Sequence, residues 1–368
     1  MVKTKKLIIF FMLLSCFFIL LSTVSAADFR VKEKTSHDDI TNWMKTAKSG
    51  DSLIFTSSNY NLTDMVIIDK DITVKSNKNT KIAYNKNKTM FYIIANRVTF
   101  SSLTLNHNGQ GSNESKFAVV SAAKDTAKRI NFNKVTINAK KSYVSGIDIP
   151  LWNGSVSNSR INIKGIWGHG VSSEQWNGNV AKSYVTTSGK SSVSLSSVYW
   201  SGKVSGSRIY NTAPYDVGGV PSGIIFVYGK GTISKSIIRV PNGNALRLDK
   251  NIKVTGCSLQ SRKGHPKHYK FLPDLSINSK DIKRSKTTYS VKVTNNYYGS
   301  SNACYLGIKI GSYVKTTKVK ALAFGQSTNV KVTLPSKYIN KKYTKNVKVD
   351  YYNKIKEQTK DNNIFKFN

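Results

Sequence analysis

Asp148 and His169 are the two residues whose types and setting could perform acid–base chemistry. Asp148 lies in the strand-like segment Gly146-Ile147-Asp148-Ile149, and His169 lies in the triplet Gly168-His169-Gly170. Hydrolysis of a glycosidic bond needs two carboxyl groups, one to donate a proton and one to activate water or attack the sugar. The triplet has no acid beside it. Because flanking glycines are typical of a tight turn, we expect His169 to be exposed and non-catalytic.

The Gly-His-Gly triplet resembles an element of polygalacturonases, which are also β-helices. This resemblance implies an alternative function, a polysaccharide-active enzyme centred on Asp148 and His169. The Arg-x-Lys element that follows in that family is absent after His169. A lyase would need several clustered carboxylates around Ca²⁺, and 19 acids in 368 residues are too sparse for such a cluster. The sequence therefore favours a protein without catalytic activity, metal site or cofactor.

Three tryptophans form a second pattern that could bind a ligand. Trp152, Trp176 and Trp200 are 24 residues apart, and each begins a Trp-Asn-Gly or Trp-Ser-Gly turn. Tyr228 lies near the equivalent place further along the chain. If each recurrence is one coil of a repeat, the rings lie about 4.8 Å apart and form a ladder.

The tryptophan ladder has two interpretations, which the sequence leaves open. In the interpretation that we favour, the rings are a buried stack that stabilises neighbouring coils. In the other, they form an exposed rail on which sugar rings stack, with polar contacts from Asn153, Asn177 and Lys203.

A nine-residue repeat, Gly-x-Val-x-x-Ser-x-Ile-x, decides the fold class. Copies begin at Gly154, Gly178, Gly202 and Gly231, with Val and Ile interchanging at the two apolar positions, and no helical periodicity interrupts them. Short alternating runs broken by Gly, Asn and Ser predict an all-β, right-handed parallel β-helix in which like residues stack from coil to coil. The sixth position is small and predicts an inward bend, which would bury Cys257 as an inert thiol.

The N-terminal end of the stack needs a cover, because open strand edges invite aggregation. Ser36 and Asp39 have the spacing of a capping box and precede an amphipathic segment. We expect this segment to form a helix that covers a first coil beginning near Ser52. Its predicted apolar face consists of Ile40, Trp43, Met44 and Ala47.

The first 26 residues predict export. Lys3, Lys5 and Lys6 precede an apolar run from Leu7 to Leu21, and small residues then lead to Ala26. Retention as an anchor remains an alternative, whereas lipidation at Cys16 is disfavoured because the apolar run continues beyond it. We predict a signal peptide at 1–26, a β-helix at 27–270 and a β-sandwich at 271–368. The exported protein would be extracellular or cell-surface, with no membrane span after cleavage.

Both predicted domains resemble known families. The stretch from Lys48 to Tyr60 and the segment Ile67-Ile68-Asp69-Lys70-Asp71 resemble adhesin-like β-helix proteins of methanogenic archaea. The C-terminal part resembles the CARDB-type, cell-adhesion-related, immunoglobulin-like domain, through Pro273-Asp274-Leu275 and the ending from Val347 to Glu357. This resemblance implies adhesion at a surface.

The charge balance limits the classes of binding partner that we expect. The chain has 57 basic and 19 acidic residues and a net charge of +38, spread along its length. Such a surface favours acidic wall polymers or glycans, while the export signal and the lack of a nucleic-acid motif argue against nucleic acid. We therefore predict an adhesin that binds acidic or neutral glycans, or other cell-surface proteins; a purely structural envelope role is a further alternative. Predicted glycosylation sites are Asn61, Asn87, Asn113 and Asn153.

Overall fold

Each coil of the N-terminal domain contains three short parallel strands, as the repeat predicts. The computed structural model describes residues 26–216, 219–264, 268–297, 299–339, 344–357 and 359–367. The predicted signal peptide lies almost entirely outside these residues. The three strands of a coil stack on the same strands of the next coil and form three faces, which we call A1, A2 and B. The all-β parallel β-helix prediction is confirmed.

Faces A1 and A2 are joined in one 18-stranded sheet, and face B is a separate 9-stranded sheet. Two 13-residue strands, β20 (Val193–Ser205) and β22 (Ser222–Ser234), run through both A1 and A2. The other strands of A1 are β4 (Val66–Ile68), β7 (Phe91–Ile93), β10 (Phe117–Ala122), β13 (Val144–Asp148), β14 (Leu151–Trp152), β17 (Val171–Trp176), β24 (Asn244–Leu248) and β27 (His268–Lys270). The other strands of A2 are β1 (Asp28–Val31), β2 (Ser52–Phe55), β5 (Ile72–Ser76), β8 (Arg97–Ser101), β11 (Arg129–Asn133), β15 (Val156–Ser157), β18 (Asn179–Ala181) and β25 (Ile252–Thr255). Face B contains β3 (Asn59–Leu62), β6 (Lys81–Tyr84), β9 (Thr104–His107), β12 (Thr136–Ala139), β16 (Arg160–Ile163), β19 (Tyr184–Thr187), β21 (Arg208–Asn211), β23 (Ile237–Arg239) and β26 (Ser258–Gln260).

The apolar positions of the repeat stack in register through the interior. Val156 pairs with Val180, and Val180 with Val204, on successive A2 strands. Ile161 and Val185 pair in the same way on face B. All five side chains are at most 1% exposed. Alternation of inward apolar and outward polar residues therefore fixes the register of each coil, since a slip of one residue would turn the apolar column outward.

The small sixth position of the repeat is a hydrogen-bonded serine column at the corner between A2 and B. The backbone N–H of Ser159 donates to Ser183 Oγ at 3.2 Å, and Ser183 Oγ donates to the Ala181 carbonyl oxygen at 2.8 Å. Ser207 accepts from the Ser183 N–H in the same way. The serines thus satisfy backbone donors where strand pairing is interrupted. Cys257 ends this column half-buried, so its prediction as a buried thiol is wrong; among the described residues, face B ends at β26, next to Cys257.

The helix α1 (His37–Thr46) covers the N-terminal end of the core. Its capping box is formed, with Asp39 N donating to Ser36 Oγ at 3.0 Å and Ser36 N donating to Asp39 Oδ2 at 2.9 Å. Ile40 and Met44 are buried against the core, which confirms the predicted covering face. The stack nevertheless begins before the helix, because β1 pairs in parallel with β2.

The C-terminal domain is a β-sandwich of two four-stranded antiparallel sheets. Its apolar core is separate from that of the β-helix and includes Val291, Leu306 and Val347. One sheet contains β28 (Leu275–Ser276), β29 (Ile282–Ser285), β30 (Thr288–Asn295) and β33 (Ser327–Thr333). The other contains β31 (Cys304–Ile310), β32 (Tyr313–Val319), β34 (Lys345–Lys348) and β35 (Ile364–Phe367). Short 3-10 turns occupy Ser279–Asp281 and Ser336–Tyr338. Across the described residues, α1 is far too short and polar to cross a membrane, and no other helix could do so.

Candidate functional site

The three tryptophans of the ladder are buried. Trp152, Trp176 and Trp200 pair in register at the corner between A1 and A2 and are at most 1% exposed. The rings of Trp152 and Trp176 are stacked, with centroids 4.6 Å apart. Trp152 Nε1 donates to the Ile130 carbonyl oxygen at 2.8 Å, so its polar atom is satisfied inside the fold. The exposed-rail interpretation is therefore wrong for these residues, and the structural stack is confirmed.

Tyr228 does not continue the tryptophan ladder. It pairs with Tyr199, and Gly229 lies opposite Trp200. The register between β20 and β22 is 29 residues rather than 24, and Tyr228 lies one position before Gly229, the residue opposite Trp200. Tyr228 therefore belongs with Tyr199 rather than with Trp200.

An outward row of aromatic rings lies beside the buried ladder. The rings of Tyr199 and Tyr228 stack with centroids 5.2 Å apart, and the ring of Tyr228 stacks on Phe324 of the sandwich at 6.1 Å. Tyr199 is 50% exposed and Phe324 is 42% exposed, whereas Tyr228 between them is 7% exposed. We call these three residues the aromatic row. Its apolar side chains extend from the β-helix to the second domain.

Tyr199 and Tyr228 of the aromatic row line an open groove of about 650 Å³ at the junction of the two domains. The β-helix also contributes Trp200 and Gly229 to the lining, and the sandwich contributes Ser300 and Ala323. We call this space the junction groove. Its polar lining consists of Asn177, Ser201, Lys230, Asp249 and Asn251.

A polar ladder follows the rim of the junction groove. Asn177 Nδ2 donates to Asn153 Oδ1 at 3.2 Å, and Ser201 Oγ donates to Asn177 Oδ1 at 2.6 Å. Both asparagines are exposed, so their remaining donors and acceptors face solvent. Lys203 is exposed but does not line the groove; Lys230 of the next coil does. Of the predicted polar contacts, Asn177 thus lines the junction groove, whereas Asn153 and Lys203 do not.

Asp249 is the acid of the junction groove. It is 3% exposed, and its burial raises the pKa of the carboxyl group. The Asn251 N–H donates to Asp249 Oδ1 at 2.8 Å and opposes that rise. The adjacent Lys250 Nζ donates to Asn302 Oδ1 of the sandwich at 2.7 Å, which ties the two domains together at the groove.

Asp148 and His169 are not brought together. Asp148 pairs with Ser172, whereas the His169 N–H donates to Ser145 Oγ, so the two residues are three strand positions out of register. That offset is about 10 Å along a strand. Burial raises the pKa of Asp148 and lowers the pKa of His169 to about 4. The expectation of an exposed His169 is wrong, because its imidazole is half-buried and its Nδ1 is enclosed without a hydrogen-bond partner.

Sequence reasoning missed Glu174, the acid on the coil after Asp148. It is exposed on β17 and forms an ion pair with Lys124, which keeps its carboxylate occupied. Within the described ranges, no three His, Cys, Asp or Glu side chains are grouped so as to hold a metal ion. Asn61, Asn87, Asn113 and Asn153 all lie exposed, and their glycosylation stays a prediction.

Neither Phe324 nor Tyr199 was identified from the sequence as a candidate site residue. Phe324 contributes through a contact between domains, which no pattern within one domain signals. Tyr199 directly precedes the buried Trp200, but Val198 is exposed as well, so strand alternation is interrupted here and gave no signal for the outward position of Tyr199.

Several solved structures show limited similarity to this chain, including the following three. A domain of a proposed cell-surface protein from Methanosarcina acetivorans is 23% identical and covers 26% of this chain and 89% of its own, with a TM-score of 0.23. Pectate lyase Pel9A is 11% identical and covers 68% of this chain and 76% of its own, with a TM-score of 0.47. Tailspike protein 2 from Escherichia coli O157:H7 bacteriophage CAB120 is 9% identical and covers 94% of this chain and 68% of its own, with a TM-score of 0.29.

No curated protein matches the sequence. The family model for CARDB matches residues 272–367, which coincide with the β-sandwich. The CARDB part of the predicted resemblance is therefore confirmed, and the C-terminal segment is a CARDB domain.

Proposed function

We propose that this chain is an exported surface protein that binds glycans in the junction groove and catalyses no reaction. The observation that carries this proposal is Tyr199, which lines the junction groove and is 50% exposed while its ring is held by stacking on Tyr228. Rigid rings lose little conformational entropy on binding, because their neighbours already fix their orientation.

The chemistry of the junction groove suits a sugar. Aromatic surface provides apolar contact for the C–H face of a sugar ring, and amide and hydroxyl groups provide hydrogen bonds to its hydroxyls. Asn177, Ser201 and Asn251 supply such groups within the groove. Its one buried acid and one exposed lysine leave it nearly neutral, so we infer a neutral or weakly acidic glycan as the ligand.

The surface location is part of the same proposal. The CARDB domain, the cell-surface description of the Methanosarcina acetivorans neighbour and the predicted signal peptide all support it. In this setting the β-helix would present the groove to glycans or wall polymers, and the CARDB domain would serve as an adhesion or spacer module. Other cell-surface proteins are further candidate partners.

The absence of catalysis rests on the placement of the acids. Asp148 and His169 are out of register, and Glu174 is paired with Lys124. Asp249 is the one acid that lines the junction groove within the described residues. A glycosidase of the usual kind needs two facing carboxyl groups, so this lining supports retention of the glycan.

A glycan panel tests both parts of the proposal. The purified protein is applied to neutral and acidic oligosaccharides, and each bound ligand is then incubated and analysed for shortened products. We expect binding to a subset of glycans with no change in their length. Shortened or unsaturated products that persist in Asp148→Asn would assign a different acid; products that disappear in this variant would revive the Asp148 enzyme.

A further inference from the structure

A column of residues in the left-handed backbone conformation runs along the corner between A2 and B. In eight successive coils the residue before the sixth position of the repeat has a positive φ, between 48° and 60°. Asn and Gly adopt this conformation most readily, and Lys has no backbone reason to prefer it. Three members are nevertheless lysines. The column consists of Asn79, Ser102, Lys134, Asn158, Lys182, Gly206, Lys235 and Gly256.

Arginines fill the coils between these lysines. Arg160 and Arg208 are the first residues of β16 and β21, two positions after Asn158 and Gly206 in the left-handed column. Both are exposed. Five successive coils therefore present one cation each, alternately from the turn and from the strand, at a rise of about 4.8 Å per coil. We call Lys134, Arg160, Lys182, Arg208 and Lys235 the cationic strip.

Four members of the cationic strip line one open groove of about 460 Å³. No carboxylate lines it; the rest of the lining is Asn79, Thr136, Asn158, Ser159, Ser183, Tyr184 and Gly206. Between residues 126 and 215 the chain has two acids, Asp148 and Glu174, and both lie on face A1. Among the ion pairs of the described residues, none involves a member of the strip.

Two cation–π contacts lie at the cationic strip, one of them formed by its member Arg160 and the other by Arg239 outside it. The guanidinium of Arg160 lies 5.1 Å from the ring centroid of Tyr184, and that of Arg239 lies 5.8 Å from Tyr210. Tyr184 and Tyr210 also pack against each other at 5.3 Å. Cation–π contacts of this kind leave the N–H donors of arginine free at the edge of the plane. Tyr184 is thus covered on both sides and offers little ring surface for stacking with a base.

We propose that the cationic strip is a binding site for an extended linear acidic polysaccharide. The strip offers one cation per coil at a regular rise. This rise matches a linear polymer in which each sugar unit spans a similar distance and carries a carboxylate or sulfate group. Single-stranded nucleic acid, in contrast, relies on free aromatic faces for its bases. The site is separate from the junction groove, so it stands or falls independently of the proposed function.

The test uses a variant that removes two positive charges from the cationic strip and introduces residues that readily adopt the left-handed backbone conformation. Lys134→Asn with Lys182→Asn places at two left-handed positions the residue that Asn79 and Asn158 already supply in the same column. The matched control is Arg97→Gln with Arg129→Gln. These two exposed arginines pair in register and begin the A2 strands β8 and β11, at the end of those strands that is away from the cationic strip. Affinity for an oligogalacturonate length series is measured across a salt series, with neutral cello-oligosaccharides and oligo(dT) as comparison probes.

The expected result is a selective loss in the lysine variant. Its affinity for long oligogalacturonates falls about 10-fold or more, and its salt slope, log K against log salt, becomes shallower by about 1 to 2. The arginine control keeps the wild-type affinity. Equal losses in both variants would mean that diffuse surface charge does the binding and would overturn the site. Tighter binding of oligo(dT) than of oligogalacturonate, or no binding of either, would overturn the ligand assignment.

Discussion

Gly154 lies directly against the indole ring of Trp152. A Cβ atom at Gly154 would stand 2.4 Å from Trp152 Nε1, and the same relationship recurs at 2.5 Å between Gly178 and Trp176. The recurring Trp-x-Gly sequence is therefore a packing motif, in which the glycine leaves room for the ring of its own coil. The 24-residue spacing records the length of the coil rather than the spacing of a ligand.

Gly178→Ala is predicted to destabilise the β-helix. The new methyl group would lie 1.7 Å from the Gly154 carbonyl oxygen as well as against Trp176, so the backbone must shift. We expect a loss of at least about 1 to 3 kcal/mol in the free energy of unfolding, measured by urea titration. Gly206→Asn is the control, because Gly206 has a φ of +56° and open space around it. An unchanged unfolding midpoint for Gly178→Ala would contradict the packing motif.

Ser183→Ala is predicted to weaken the corner between A2 and B. The change removes the acceptor of the buried Ser159 N–H, whose hydrogen bond to Ser183 Oγ is 3.2 Å long. An unsatisfied buried donor costs about 1 to 3 kcal/mol. Ser201→Ala, at the exposed rim of the junction groove, should cost much less. Thermal unfolding compares the two variants, and equal melting temperatures would show that the serine column adds little.

The stability of the β-helix is predicted to fall on mild acidification because of His169. Burial lowers its pKa to about 4, and the charge of Lys116 acts in the same direction. An unfolded histidine titrates near pH 6.5, so between about pH 6.5 and 4 the unfolded chain binds more protons than the folded one. Unfolding is then progressively favoured as the pH falls.

Two measurements check the histidine prediction. The imidazole signals of His169 in an NMR titration should stay in the neutral form well below pH 6. His169→Gln should flatten the fall of unfolding free energy between about pH 6.5 and 4. A midpoint for His169 near that of a free histidine would show that the side chain is hydrated and the prediction wrong.

Most of the β-helix could be predicted because one constraint recurs in every coil. Val156, Val180 and Val204 face the interior at the same point of the repeat, so sequence spacing alone fixed their register. The strand β1 was not predicted, because it lies outside the repeat and is separated from β2 by the helix. The left-handed column was also missed, since lysine at a positive φ carries no local signal.

The candidate site was only partly predictable. Asn177 was identified from its place in the tryptophan turn, but the side of the corner on which each ring lies depends on packing at a bend, where strand alternation is interrupted. Tyr228 lies opposite Tyr199 rather than Trp200, and the register of 29 residues between β20 and β22 breaks the 24-residue spacing on which its placement in the ladder depended. Phe324 could not be anticipated, because its neighbour Tyr228 lies in the other domain.

The most direct test of glycan binding in the junction groove is a comparison of two tyrosines. Tyr199 in the aromatic row is 50% exposed, and Tyr352 on the sandwich, outside the groove, is 52% exposed. Affinity for the best neutral oligosaccharide of the panel is measured by calorimetry for the wild type, Tyr199→Ala and Tyr352→Ala at low and high salt. The account predicts a loss of about 10-fold or more for Tyr199→Ala, corresponding to about 1.4 kcal/mol, at both salt concentrations and no loss for Tyr352→Ala. Wild-type affinity in Tyr199→Ala, or binding that vanishes with salt in every variant, would contradict it.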